Sequence, residues 1–190
     1  MLGVGDPLPL RPRRVLVAGV TGSGKSTFAA ELGGVLDLPY TEIDGLYHGP
    51  HWTPRPQFSD EVQALVADDA WVTEWQYRAA RETLLDRAEL LVWLDFPFPL
   101  TLRRLLQRTV RRRIRREVLW HGNVEPPLRS FFTAPDDNIV RWAISTRHKY
   151  RALIPDVAER RPDLAIVRLG SPAETRRWIG GIVRGELLAR

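Results

Sequence analysis

Short apolar runs alternate with amphipathic stretches along most of this chain. The apolar runs predict five β-strands, over residues 14–18, 40–43, 70–75, 90–96 and 164–169. Apolar residues at helical spacing predict helices over 25–36, 58–67, 78–87, 100–117, 139–159 and 172–183. The helix over 139–159 is expected to be interrupted near Pro155, because proline removes a backbone donor. This alternation indicates an α/β fold in which helices cover both faces of a five-stranded parallel sheet.

The composition fits one domain spanning residues 1–190. Apolar residues make up 44% of the chain, enough to fill a substantial core. No apolar run approaches the roughly 20 residues that span a bilayer, and residues 1–14 lack a stretch typical of a signal peptide. Cysteine is absent, which excludes disulfides and thiolate metal sites. We therefore expect a cytoplasmic protein without a membrane partner.

Residues 19–26 read Gly-Val-Thr-Gly-Ser-Gly-Lys-Ser, a complete G-x-x-x-x-G-K-[ST] loop between the first predicted strand and helix. In such a loop the backbone N–H groups surround a phosphate at the positive end of the helix. The Lys25 ammonium can reach the β- and γ-phosphates of ATP, and the Ser26 hydroxyl can bind Mg²⁺. The predicted ATP-binding residues are Gly19, Thr21, Gly22, Ser23, Gly24, Lys25, Ser26 and Thr27. The alternative is a glycine-rich turn without a ligand.

Four features together resemble the adenylate-kinase-like group of P-loop kinases over residues 14–183. They are the P-loop, Ile43-Asp44, residues 71–74 with Arg78, and residues 94–97 before an arginine-rich helix. Within this group the chain is most similar to small bacterial proteins identified as DNA topology modulation proteins, through residues 46–48 and 52–55. The resemblance implies a three-layer α/β/α P-loop NTPase fold. It also implies an acceptor-binding segment at 45–67, here called the acceptor segment, and an arginine-rich lid region at 100–137. Members of the group usually have Asp-Gly where this chain has Glu74-Trp75, so a bulkier residue borders the expected acceptor site.

Two carboxylates follow predicted strands at the sheet edge where ligands bind in open α/β folds. Asp44 can orient an acceptor hydroxyl or accept its proton, or alternatively cap the turn with Gly45. Glu74 can hold Mg²⁺ through water, or alternatively face solvent at the end of its strand.

Several arginines are candidates for binding phosphate, because a guanidinium pairs its donors with oxyanions. By resemblance, Arg55 and Arg78 bind an anion of the acceptor; the alternative is an ordinary surface role. Arg104 and Arg108 lie one helical turn apart and can clamp the γ-phosphate, with Arg141 joining from the helix after the lid region.

Two further features bear on the partners. Trp52 and Trp75 flank the expected acceptor cleft, where their rings can stack on a base or another ring, whereas Trp71 and Trp93 lie in predicted strands and belong in the core. The arginine run at 111–116 spreads around a helix, and it is either a solvated face, a contact for an acidic protein, or a nucleic-acid footprint.

We therefore expect an ATP- and Mg²⁺-dependent phosphotransferase, in which Lys25, Asp44, Arg104, Arg108 and Arg141 act on the reacting groups. The acceptor is a small molecule: a nucleotide, a nucleoside or a hydroxylated metabolite. The alternatives are an ATP-binding regulatory switch and a nucleic-acid-directed kinase or DNA topology effector, of which the nucleic-acid partner is less favoured. A monomer and a homodimer both fit the sequence.

Overall fold

A parallel sheet organises the chain in the computed structural model, which describes residues 1–126 and 139–188. Its strands are β1 (Arg14–Gly19), β2 (Trp71–Glu74), β3 (Leu90–Leu94) and β4 (Ala165–Leu169), in the spatial order β2-β1-β3-β4. All neighbouring strands are parallel, so their carboxyl ends meet at one edge. β1 lies inside the sheet, which places the loop after it at the centre of that edge.

Helices cover both faces of the sheet. They are α1 (Lys25–Leu36), α2 (Ile43–Tyr47), α3 (Phe58–Ala67), α4 (Arg81–Arg87), α5 (Phe98–Arg115), α6 (Ile139–Thr146), α7 (Lys149–Arg160) and α8 (Pro172–Val183). Successive residues of β1 point to opposite faces, so Leu16 packs in a core with α3, α4 and α7, whereas Val17 packs in a core with α1 and α8. The architecture is therefore the expected three layers.

The prediction of a fifth strand is wrong. Of the residues involved, only Tyr40 pairs with the sheet, as an isolated bridge to Val72. The chain then leaves the sheet because Ile43 begins α2 and donates its backbone N–H to the Glu74 carboxylate, 3.0 Å away. A carboxylate at a helix N-terminus stabilises the unpaired donors of the first turn. Glu74 thus favours the helix over continued strand pairing.

The predicted interruption of the helix near Pro155 is also wrong. α7 continues through Pro155, and the break falls earlier, at Arg147 and His148 between α6 and α7. Ile154 and Val157 on either side of the proline are fully buried, so tertiary packing holds the helix despite the missing donor.

The lid region begins in α5 and continues through a short turn, Val118–Val124, here called the lid turn. The two ends of this turn pair as an antiparallel bridge around a 3₁₀ turn at Trp120–Gly122. Residues 127–137 of the predicted lid region lie outside the described residues. None of the described helices is long and apolar enough to cross a membrane.

Candidate functional site

The loop between β1 and α1 passes directly against the start of α5. Gly22 has φ +83°, and a Cβ at this position would lie 2.1 Å from the Thr101 carbonyl oxygen. Gly24 has φ +90° and forms the N-terminal boundary of α1. Both glycines are required, since a side chain at either would strain the backbone and at Gly22 would also collide with α5.

The predicted ATP-binding residues line this loop and the first turn of α1, from Gly19 to the exposed Thr27. The Ser23 hydroxyl is buried and has no hydrogen-bond partner among the described residues. Burial lowers the pKa of the Lys25 ammonium, and the Asp44 and Glu74 carboxylates oppose this shift. Lys25 therefore faces two carboxylates across the loop, at the carboxyl edge of the sheet.

Glu74 contacts Tyr40 and does not face solvent. It is buried at the end of β2, and it accepts hydrogen bonds from the Tyr40 hydroxyl at 2.7 Å and the Ile43 N–H at 3.0 Å. Burial and the Glu74 carboxylate raise the pKa of Tyr40, and the Ser26 hydroxyl interacts with the same phenol. Glu74 is thus linked to the predicted Mg²⁺ ligand Ser26 through one side chain.

These residues fit Mg²⁺ in the manner of a P-loop. Among the described residues, no cluster of three or more His, Cys, Asp or Glu could hold a metal ion by itself. Mg²⁺ commonly takes one or two protein ligands and completes its shell with substrate phosphates and water. The Ser26 hydroxyl is a ligand of the type that Mg²⁺ accepts, and Tyr40 connects it to the Glu74 carboxylate.

Asp44 is held by two residues that follow β2. Both the Gln76 amide and the Tyr77 hydroxyl donate to Oδ1 of Asp44, the latter at 2.6 Å. Neither donor contacts Oδ2, and no described residue donates a hydrogen bond to that oxygen. Asp44 is therefore oriented by the protein and retains one carboxylate oxygen for another group.

Aromatic rings form the wall beside Asp44. Tyr77 stacks on Tyr47 with ring centroids 3.8 Å apart, and His48 stacks on Trp120 at 5.7 Å. Burial lowers the pKa of His48, which favours the neutral form of the ring. Because the Tyr77 hydroxyl donates to Asp44, we assign the Nε2–H tautomer to His48, which donates to the Tyr77 oxygen over 3.1 Å.

The lid turn docks on residues that surround the start of the acceptor segment. The Trp120 indole N–H donates to Glu42 at 2.9 Å. The buried Asn123 amide donates to the Gly49 carbonyl at 2.8 Å and accepts from the Trp52 N–H at 3.1 Å. The Trp52 ring contacts Trp120 edge-on, with centroids 6.2 Å apart. This contact holds the lid turn against the start of the acceptor segment.

Two of the predicted lid arginines lie at the loop. The Arg104 guanidinium approaches the Ser23 carbonyl at 3.5 Å and lies 5.6 Å from the centre of the Phe96 ring. Arg108 is turned inward, and its Nε is buried without a hydrogen-bond partner among the described residues. Burial lowers the pKa of Arg108, as does the neighbouring Arg112, against the opposing effect of Glu125, Asp44 and Glu42. Arg108 thus shares the interior of the site with Asp44.

Other predicted residues lie in different surroundings. The Trp75 ring is in the core, 1% exposed, where its indole donates to the Arg81 carbonyl, so it presents no face to a cleft. Arg55 pairs with Glu61 at 2.7 and 2.6 Å, which engages its terminal nitrogens within the acceptor segment. Arg78 is exposed on the loop before α4, and Arg141 is exposed on α6.

Sequence reasoning missed several residues that shape the site. All but one of them have a polar or aromatic side chain that joins two distant segments; they are Tyr40, Gln76, Tyr77, Trp120 and Asn123. The other is Lys149, a half-buried cation near Lys25. A signal existed for Gln76 and Tyr77, which follow a strand at the ligand-binding edge of the sheet. A signal also existed for Lys149, since the chain has 26 arginines and only two lysines.

Comparison with known proteins identifies the fold. No protein-family model and no curated protein sequence matches this chain. Among solved structures, a gluconokinase from Sinorhizobium meliloti is similar at 18% identity and a TM-score of 0.52, over 93% of this chain and 95% of that one. A shikimate kinase from Acinetobacter baumannii matches at 14% identity and a TM-score of 0.48, over 93% of each chain. The chain has the α/β fold of P-loop kinases, with four parallel strands in its sheet.

Proposed function

We propose that this protein is an ATP- and Mg²⁺-dependent phosphotransferase that moves the γ-phosphoryl group to a hydroxyl of a small acceptor. Candidate acceptors are hydroxylated metabolites, nucleosides and nucleotides. The observation that carries the proposal is the convergence of Lys25, Asp44 and Arg108 at the P-loop, from three separate elements. Phosphoryl transfer needs this combination of held phosphates, neutralised charge and an aligned acceptor.

The donor half rests on the loop after β1. Its backbone N–H groups and the Lys25 ammonium bind the phosphates of ATP, at the positive end of α1. Ser26 is the protein ligand for Mg²⁺, and its hydroxyl contacts Tyr40, which donates a hydrogen bond to Glu74. When bound, Mg²⁺ neutralises charge on the β- and γ-phosphates. Arg104 and Arg108 approach the phosphates from α5.

The acceptor half rests on Asp44. Its Oδ2 accepts the proton of the acceptor hydroxyl as that oxygen forms a bond to the γ-phosphorus. The bond between the γ-phosphorus and the β–γ bridging oxygen breaks on the opposite side, and ADP leaves with the electron pair. Gln76 and Tyr77 keep Oδ1 engaged during this step. The aromatic wall of Tyr47, Tyr77 and His48 excludes water beside the acceptor.

A screen for transfer of radiolabelled γ-phosphate tests the proposal. Wild-type protein is incubated with labelled MgATP and panels of sugars, sugar acids, nucleosides and nucleotides. We expect one chemical class to be labelled. Asp44→Asn is the matched variant, since it keeps the shape and an Oδ1 acceptor for Gln76 and Tyr77. We expect it to bind ATP but to lose transfer. Labelled acceptor in equal amounts from Asp44→Asn and wild type would contradict the assigned role of Asp44.

An ATP-binding switch is the second candidate, favoured by the direct docking of the lid turn on the acceptor segment. In that case ATP binds, no acceptor is labelled, and ATP changes amide exchange in the lid turn. A nucleic-acid role is less favoured because part of the arginine run is engaged within the protein. Arg112 lies 3.6 Å from Glu125, and Arg111 lies 3.4 Å from Glu117. Binding to duplex DNA that weakens steeply with salt would support that role instead.

A further inference from the structure

The N-terminus of α7 is anchored beside the P-loop by Tyr150. This residue is buried, and its hydroxyl donates to the Trp75 carbonyl at 2.7 Å, just beyond β2. The Gly19 backbone interacts with the same hydroxyl. Trp75 in turn donates its N–H to Val17 of β1 at 2.9 Å. The first turn of α7 is therefore fixed against the strand that leads into the phosphate-binding loop.

Lys149, the first residue of α7, lies at this junction among other cations. Its ammonium is 5.3 Å from the centre of the Tyr150 ring, which anchors the helix. The charged groups that face it are Lys25 from α1 and Arg81 from α4, both positive. No carboxylate among the described residues lies within ion-pair distance of Lys149. The contact with the Tyr150 ring compensates only weakly for a half-buried cation.

The Arg81 guanidinium is held by contacts with two other residues. Its Nε donates to the Gln76 carbonyl at 2.9 Å, and its guanidinium lies 5.8 Å from the centre of the Trp75 ring. Of the two cations that face Lys149, Lys25 is the one that belongs to the phosphate-binding loop. The two lysines of the chain thus approach the phosphate-binding loop from opposite layers of the fold.

We propose that Lys149 is a second phosphate-binding lysine, which contacts the terminal phosphate of bound ATP from the side of α7 and takes up a proton when ATP binds. This inference rests on the proposed function, because it assumes that the loop holds ATP. It adds a residue from outside the loop and the lid region. It also predicts a part of the proton uptake on ATP binding that is lost when Lys149 is replaced.

The measurable consequence of this proposal is the uptake of a proton by Lys149 when ATP binds. Burial, with Arg81 and Lys25 nearby, lowers the pKa of Lys149 to about 8. At pH 8 about half of the ligand-free molecules carry a neutral Lys149. A phosphate oxygen stabilises the charged form and raises the pKa, so binding takes up about half a proton at pH 8 and almost none at pH 6.5. The terminal phosphate of ATP titrates lower, near pH 6, and contributes little at pH 8.

Calorimetry of MgATP binding, in buffers of different ionisation enthalpy, measures this proton uptake. We expect wild type to take up about half a proton more than Lys149→Met at pH 8, and to bind ATP about ten- to hundredfold more tightly. Lys149→Arg keeps the charge at every pH, so it is expected to retain tight binding and lose the uptake. Arg177→Met removes one exposed charge on α8, on the opposite side of the sheet from α7, and serves as the control for net charge.

The outcomes separate this inference from the proposed function. Equal uptake and equal affinity in wild type and Lys149→Met would overturn the inference while leaving ATP binding intact. A loss of affinity in Arg177→Met as large as that in Lys149→Met would overturn it as well, since the change in net charge would then explain the loss of affinity in Lys149→Met. Failure of the wild type to bind MgATP at all would overturn the proposed function and this inference together.

Discussion

Replacing Asn123 with alanine is expected to release the lid turn from the acceptor segment. The Asn123 side chain is 5% exposed and makes two hydrogen bonds across this contact, to the Gly49 carbonyl at 2.8 Å and from the Trp52 N–H at 3.1 Å. A third bond, to the Trp120 carbonyl, stays within the turn. Alanine removes both cross-segment bonds without adding bulk, so the change acts on docking.

The size of the effect follows from these two bonds. Each neutral hydrogen bond contributes roughly 0.5–1.5 kcal/mol net, so the docked state loses about 1–3 kcal/mol. That free energy corresponds to a shift of about five- to 150-fold in the equilibrium between docked and undocked lid turn. The bond from the Trp120 indole to Glu42 remains and keeps part of the docked population.

Hydrogen exchange of the Trp120 indole N–H reports the docking, because it donates to Glu42 across the contact and both partners remain in Asn123→Ala. We expect its protection to fall by the same five- to 150-fold in Asn123→Ala. The Gly49 amide donates to Thr53 within the acceptor segment and is the internal control, expected to change little. His121→Asn is the matched variant, since His121 is exposed and asparagine tolerates its φ of +55°. Unchanged protection of the Trp120 indole N–H, or an equal loss at the Gly49 amide, would refute the assigned docking contact.

Two further variants test the loop and the acceptor half. Gly22→Ala is expected to lower the free energy of unfolding by about 2–5 kcal/mol in urea titrations, from a left-handed backbone and a collision with α5. Gly34→Ala, an exposed position inside α1 with open space around it, should raise that free energy by up to about 1 kcal/mol; equal effects of the two alanines would contradict the close approach of the loop. Tyr77→Phe keeps the stacked ring and removes one donor to Asp44, so the transfer rate is expected to fall about tenfold or more with ATP affinity unchanged. An unchanged rate would show that Gln76 alone positions Asp44.

The fold and the geometry of the loop after β1 could be predicted because their signals are local. The strands of the core are continuous apolar runs, and the P-loop is one contiguous motif whose glycines are set by backbone geometry. The second strand was mispredicted for a non-local reason. Its apolar run ends at Ile43, but the Glu74 carboxylate, 31 residues away, stabilises a helix start there. Periodicity within the run carries no information on that contact.

The acceptor half and the lid contacts depend on residues that are far apart in sequence. Trp120 meets Glu42 across 78 residues, and Asn123 meets Gly49 across 74. Arg55 was a reasonable candidate for binding an anion, but its partner Glu61 lies in the next helix, where sequence alone does not pair them. The Trp75 side chain points into the core, where it contacts Tyr150 of α7 and donates to the Arg81 carbonyl, contacts that its position after β2 does not reveal.

Titration of the purified protein with MgATP by calorimetry tests the central claim most directly. The account predicts saturable binding at one site, weakened about tenfold or more in Lys25→Met because the ammonium that faces the phosphates is lost. Absence of binding by the wild type, or equal affinity in wild type and Lys25→Met, would contradict the claim that the loop after β1 holds the phosphates of ATP.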